Sequence, residues 1–201
     1  MPAHSRSAVA ALSREEREAA LLDWGGARGD RRQRPGRALE ATTYAFEVVC
    51  DYGAYRDLQR HRLLSLQALP LTPALGYDVP DEVAEAGAGD DYAAIQARCT
   101  SLHDALRPAF PAEAQYAVTL AHRIRFTMVL NAREAMHLIE LRSQPQGHES
   151  YRAVAQAMHR QIAEVAGHRT IAAMMAFVDT SGPGAGRLAA ERRQEARRAN
   201  R

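Results

Sequence analysis

Two short runs hold the side chains whose types and spacing best suit chemistry on an anion. The first is Arg60-His61-Arg62, inside Asp57-Leu58-Gln59-Arg60-His61-Arg62-Leu63-Leu64-Ser65-Leu66-Gln67. Two guanidiniums flank an imidazole. Each guanidinium is a permanent cation with a flat fork of donors that fits paired phosphate or carboxylate oxygens. Three such groups in a row are awkward against a core and make sense once an anion neutralises them. The competing reading is a solvated basic bend, because charged runs usually face water.

The second run is Asn131 to Arg142. Asn131, Ala135, Leu138 and Arg142 fall at i, i+4, i+7 and i+11, which is one face of a helix, and Arg133 and His137 form a neighbouring i, i+4 pair. At 1.5 Å rise per residue, Asn131 and Arg142 stand about 16 Å apart along the axis, a span that suits an elongated anionic ligand. Met136, Ile139 and Leu141 supply an apolar face. A purely structural account also exists. Arg142 near a helix C-terminus suits the helix dipole, Glu134 and Glu140 offer surface pairs, and a lone histidine such as His137 is more often packed than liganding.

The elements needed to position these runs follow from periodicity and turn chemistry. Ser13-Arg14-Glu15-Glu16 reads as a capping box opening a helix to about Trp24, after a stretch 1–12 expected to be disordered. Gly25 to Gly36 is a glycine-rich basic loop. Residues 39–50 read as a strand in which Tyr44, Phe46 and Val48 alternate with Thr43, Ala45 and Glu47. A helix is expected over 54–61, with a strand over 63–69 stopped by Pro70. A short helix from Asp81 precedes a longer one whose stripe is Tyr92, Ile95, Cys99, Leu102 and Leu106. Residues 116–130 read as a second long strand, with Ile124, Phe126 and Met128 opposing Arg123, Arg125 and Thr127. Helices over 131–142 and about 149–166 follow, and Ile171 to Val178 is expected to pack on the second. The fold class is α+β, an antiparallel sheet flanked by helices. The expected division is an N-terminal helix and basic loop (1–34), a main domain (35–180) and a flexible arginine-rich tail (181–201).

Composition narrows the function classes. The 201 residues are 46% hydrophobic and 25% charged with net charge +2, ordinary for a soluble globular chain. All 26 basic residues are arginine, which together with abundant alanine points to base-composition bias and lowers the weight of any single arginine. Two cysteines, Cys50 and Cys99, lack metal spacing and are too few for a disulfide framework, so a reducing cytoplasm is expected. No signal-peptide core or membrane-length apolar run is present in the sequence. The eight histidines show no paired ligand spacing, so no metal is expected. No Gly-x-Ser-x-Gly or glycine-rich phosphate loop occurs. The tail arginines (187, 192, 193, 197, 198 and 201) are diluted by Glu191 and Glu195 without interleaved aromatics, which argues against nucleic acid.

Taken together, the two runs resemble the flavin-dependent thymidylate synthases. That family carries Arg-His-Arg, two variable residues and a serine, matched here by Arg60-His61-Arg62 and Ser65, then a helix with Asn-x-Arg, an Asn or His, and Arg, matched by Asn131, Arg133, His137 and Arg142. The likeness runs from about Pro35 to Val178. It implies a homotetramer with FAD between subunits, NADPH as reductant, and methylenetetrahydrofolate as one-carbon donor to dUMP. By that resemblance Arg60, His61, Arg62, Asn131, Arg133 and His137 contact FAD. Arg142 is the catalytic residue, placed against the uracil ring, and Gln59 and Ser65 join it in binding substrate. The pattern also departs. Where the family continues Asn-Glu-x-Ser-x-Arg-Tyr, this chain has Gln67-Ala68-Leu69-Pro70-Leu71-Thr72-Pro73, and a further nucleotide-binding arginine falls on Gln115. Charge-assisted phosphate contacts are worth roughly 1.5–3 kcal/mol each, and Pro70 lacks even a backbone donor. The alternative expectation is therefore a non-catalytic or altered-substrate relative that keeps the fold, and it includes the possibility that the chain is half of a longer duplicated polypeptide.

Overall fold

The computed structural model describes residues 3–182 together with Arg192, Glu195 and Ala196. In chain order its elements are α1 (Ala3–Ala11), α2 (Arg14–Gly25), a 3-10 turn (Arg37–Ala41), β1 (Thr43–Asp51), α3 (Tyr52–Leu58) and β2 (Leu64–Ala68). They continue with α4 (Asp81–Glu85), α5 (Gly89–Leu106), β3 (Arg123–Asn131), α6 (Ala132–Arg142), α7 (Glu149–Glu164) and α8 (Arg169–Ala173). Residues 3–11, expected to be disordered, are helical. The arginine-rich tail lies almost entirely outside the described residues.

The sheet has three strands in the order β1-β3-β2 and is antiparallel. Its register follows from the flanking bonds. Ala132 N–H donates to Thr42 O at 2.8 Å and Tyr52 N–H donates to His122 O at 2.9 Å, so β1 and β3 run opposed without a slipped residue. The expected alternation is present in both. Tyr44, Phe46 and Val48 are buried on β1, and Ile124, Phe126 and Met128 on β3, while their neighbours face out. β3 is shorter than the 116–130 strand expected, because residues 113–117 coil into a 3-10 turn.

The chain divides into two compact units, residues 1–44 with 130–201, and residues 45–129. In the first, α6 is buried nearly all round. Ala135, Leu138 and Ile139 are fully covered, and α7, whose Ala155, Met158 and Ile162 are buried, packs against it. Glu134 and Glu140 are buried too, which corrects their reading as surface partners. Glu140 is closed off by Arg28 of the basic loop. Its two oxygens accept from Arg28 Nη1 at 2.9 Å and Nη2 at 2.5 Å, and the guanidinium lies 5.2 Å from the Phe177 ring centroid. Arg152, also buried, ties α7 to Ser143 O and to Asp179 and Ser181.

In the second unit Asp51 ends β1 and caps α3, its Oδ1 accepting from Ala54 N–H at 2.7 Å, so the helix begins two residues earlier than expected. Tyr55 packs edge-on against Phe126 at 4.9 Å. The largest departure is α5. Ile95 and Leu102, expected in the core, are 54% and 52% exposed, whereas Gln96 and His103 are buried. Burial follows hydrogen bonding here. Thr119 Oγ1 donates to Gln96 Oε1 at 2.8 Å, and Thr119 N–H donates to His122 Nδ1 at 3.1 Å beneath Tyr77.

Candidate functional site

The Arg60-His61-Arg62 run occupies the turn between α3 and β2. Asp51 fixes the start of α3, and Gln59 ends it with its N–H donating to Tyr55 O at 2.8 Å. His61 N–H donates to Leu58 O at 3.2 Å, and Leu58 is wholly buried, so the turn is anchored at its base. Arg60 and Arg62 are exposed and His61 half-buried. Arg60 Nη1 lies 3.4 Å from Asp57 Oδ1, and with the arginine side chain largely in solvent the pair contributes little. Ser65 is exposed on the edge strand β2, and Gln59 is exposed as well.

The second run sits at the joint where β3 passes into α6. Asn131 is the last strand residue and the helix N-cap, its Oδ1 accepting from Glu134 N–H at 2.9 Å. Arg133 is half-buried and partly committed. Nε donates to Pro35 O at 3.0 Å and Nη1 meets Glu40 Oε1 at 2.9 Å. Glu40 also receives Arg37, whose hydrogen bond is the main reason its carboxyl is held below the usual range, with Arg133 adding to the pull. His137 is the exposed side chain of an otherwise covered helix. Arg142 closes α6 with its guanidinium 5.3 Å from the Tyr151 ring centroid. Tyr151 is itself fixed by the close passage of Gly147, where a β-carbon would stand 2.6 Å from the ring.

The structure thus gathers Gln59, Arg60, His61, Arg62 and Ser65 on one turn and strand of the second unit. It gathers Asn131, Arg133, His137 and Arg142 on one helix of the first. Each set by itself offers donors suited to an anion: exposed guanidiniums on a buried anchor in the second unit, and a guanidinium, an imidazole and an amide near a helix start in the first. The Cys50 thiol fits no nucleophilic role. Burial, and then the neighbouring Asp51, push the Cys50 thiol up to about 12, so it stays protonated at neutral pH.

Sequence reasoning missed a cleft of about 420 Å³ in the second unit, lined by Tyr52, Leu71, Glu113, Gln115, Tyr116 and Val118. Gln115, one of the lining residues, accepts from Leu71 N–H at 2.9 Å while its amide nitrogen donates to Ala112 O at 3.4 Å. Tyr116 had been assigned to a strand, where its side chain would be half covered. In the 3-10 turn it stands 92% exposed.

A family model described as thymidylate synthase complementing protein matches residues 28–167. A UPF0159 protein of Chlamydia muridarum is 39% identical over 169 residues, covering 84% of this chain and 32% of the relative. A UPF0159 protein of Thermoplasma acidophilum is 39% identical over 190 residues, 94% of this chain and 38% of its own length. One of Chlamydia pneumoniae is 37% identical over 169 residues. The chain spans about a third of the length of these curated relatives. The match takes in both cationic runs, and the chain belongs to the thymidylate synthase complementing protein family, the flavin-dependent thymidylate synthases.

Proposed function

We propose that this chain provides a flavin-dependent thymidylate synthase site, which reductively methylates a uracil nucleotide, dUMP to dTMP, with methylenetetrahydrofolate as carbon donor and NADPH as reductant. The supporting observation is the exposed Arg60-His61-Arg62 turn, braced by the buried Leu58, in a chain of this family. Arg60 and Arg62 neutralise the FAD diphosphate and His61 donates beside them. Asn131, Arg133 and His137 complete the cofactor contacts from α6. FAD, when bound, supplies the reducing equivalents. Arg142, held over Tyr151, sets a fixed cation against the uracil ring and favours its polarised, anionic form, as a preorganised charge should. Gln59 and Ser65 position the substrate. In this reading the catalytic domain covers residues 35–180 and acts in the cytoplasm as a homotetramer.

One observation favours a second reading, an altered-substrate or non-catalytic relative. Ala68, Pro70 and Thr72 stand where the family pattern has nucleotide contacts, and Gln115 is already bonded to Leu71. The test is an absorption spectrum of the purified chain after incubation with FAD and gel filtration, followed by assay of dTMP. Co-eluting flavin with thymidylate formation is expected. A colourless protein that ignores added FAD overturns the proposal, and bound flavin without turnover selects the second reading.

A further inference from the structure

We propose that Tyr151 is a positioning residue for Arg142, and that residue 147 is glycine because the Tyr151 ring stands where a β-carbon would have to go. The inference rests on the reading above for what Arg142 does, and it adds how the guanidinium is held in place to do it.

The observations all lie in the first unit. Arg142 is the last residue of α6 and Tyr151 stands in the first turn of α7. Their chain neighbours tie the two helices together at the same level. Arg152 is buried and donates from Nε to Ser143 O at 3.1 Å, so the residue after Tyr151 grips the residue after Arg142. Ser143 is itself fully buried, and its Oγ accepts from Asp179 N–H at 3.1 Å. The backbone beneath both side chains is thereby fixed. On that base the Arg142 Cζ lies 5.3 Å from the Tyr151 ring centroid, within cation–π range.

The ring is set from its other side as well. His148 caps α7, its Nδ1 accepting from Ser150 N–H at 3.3 Å, and its ring centroid stands 6.4 Å from that of Tyr151. A β-carbon on residue 147 would lie 2.6 Å from Tyr151 Cε2 and 2.7 Å from its hydroxyl oxygen. Gly147 does not have a positive φ, so its backbone alone does not call for glycine. The ring does. An aromatic face also suits a cation that must act on a ligand. A carboxylate in its place would engage the N–H donors of the guanidinium and offset its charge, whereas a π-face holds the flat side and occupies none of the five donors. A long side chain braced in this way has less rotamer freedom left to lose when it meets the ligand.

The experiment has two arms on the full 201-residue chain. The first needs no ligand. The Arg142 Nε–H resonance, assigned by its absence from Arg142→Lys, should carry the upfield ring-current shift of a guanidinium stacked on an aromatic face. Tyr151→Phe should keep that shift, Tyr151→Leu should abolish it, and Gly147→Ala should reduce it by displacing the ring. The second arm measures dTMP formation with FAD bound, at saturating methylenetetrahydrofolate. Tyr151→Leu should lower kcat about five- to tenfold with the KM for NADPH unchanged, and Tyr151→Phe should restore kcat to within about twofold of the parent. A side chain that only stabilised the fold would change Tm and leave kcat per bound flavin where it was. An Arg142 resonance that does not move in Tyr151→Leu, or a Tyr151→Leu protein with the parent's kcat, overturns the proposal. The two ideas fail separately. If the shifts behave as expected while the parent chain forms no dTMP, the synthase reading falls and the bracing of Arg142 by Tyr151 stands. If the parent turns over and Tyr151→Leu matches it, only the positioning role falls.

Discussion

The bond between Arg28 and Glu140 gives the sharpest test of how α6 is held. Side-chain exposure is 7% and 0% for the two partners, so neither charge has water to fall back on. Arg28→Met would leave the Glu140 carboxylate buried with only a 3.4 Å contact from Phe177 N–H. Breaking one half of such a pair costs about 3–5 kcal/mol, a large part of the 5–15 kcal/mol by which a domain is normally stable. For a chain of this size each kcal/mol moves Tm by about 2–4 °C, so a drop of roughly 6–20 °C is expected. Glu140→Leu alone should cost less, because the Arg28 guanidinium keeps the carbonyl oxygens of Gln33 and Arg31 as acceptors. The double variant, Arg28→Met with Glu140→Leu, removes both desolvation costs and should recover most of the loss. Urea and thermal unfolding by circular dichroism on the four proteins close the cycle. A fall in Tm below about 2 °C for Arg28→Met, or a double variant no better than the singles, refutes the argument from burial.

Three further outcomes are expected. Burial first, and His103 second, lower the pKa of His122, so the unfolded chain binds more protons than the folded one as pH falls. The His122 contribution is complete above about pH 6.5 and is lost on acidification toward the lower folded value, by up to about 1.4 kcal/mol per pH unit. His122→Asn should flatten the acid slope of denaturation curves, and an unchanged slope would contradict the assignment. Gly36→Ala should destabilise by at least about 1–3 kcal/mol in urea unfolding, because its β-carbon would lie 1.8 Å from the Trp24 carbonyl oxygen, a backbone atom that cannot rotate away. Of the two cysteines, half-buried Cys99 should react with a thiol reagent in the native protein, and buried Cys50 only after denaturation. Equal native rates would contradict the Cys50 burial.

What could be read from sequence tracks which physical signal each element depends on. β1 and β3 were legible because a strand with one covered face writes its burial as a period of two, and Tyr44-Phe46-Val48 and Ile124-Phe126-Met128 do so. The capping box at Ser13 was legible because it is local, and both of its hydrogen bonds are present. α5 was misread because helical spacing of Ile95, Cys99, Leu102 and Leu106 says nothing about a polar network arriving from elsewhere, and Thr119 and His122 draw the Gln96 side of the helix inward. Glu134 and Glu140 looked like surface acids for the same reason, since the group that makes burial of Glu140 tolerable sits on a distant loop. The two cationic runs were found by residue type and order. The commitment of Arg133 to Pro35 and Glu40 was not, because a guanidinium's partners cannot be inferred from its neighbours in sequence.

The unslipped register of β1 against β3 has a consequence for how this chain can be rearranged. Residues 45 and 129, the two ends of the second unit, face one another across a single ladder, as do residues 44 and 130 on the other side of the boundary. The whole intervening segment therefore behaves topologically like the tip of one very long hairpin. It could be exchanged, lengthened or replaced by a tight two-residue turn without asking the first unit's own strand ends to move apart.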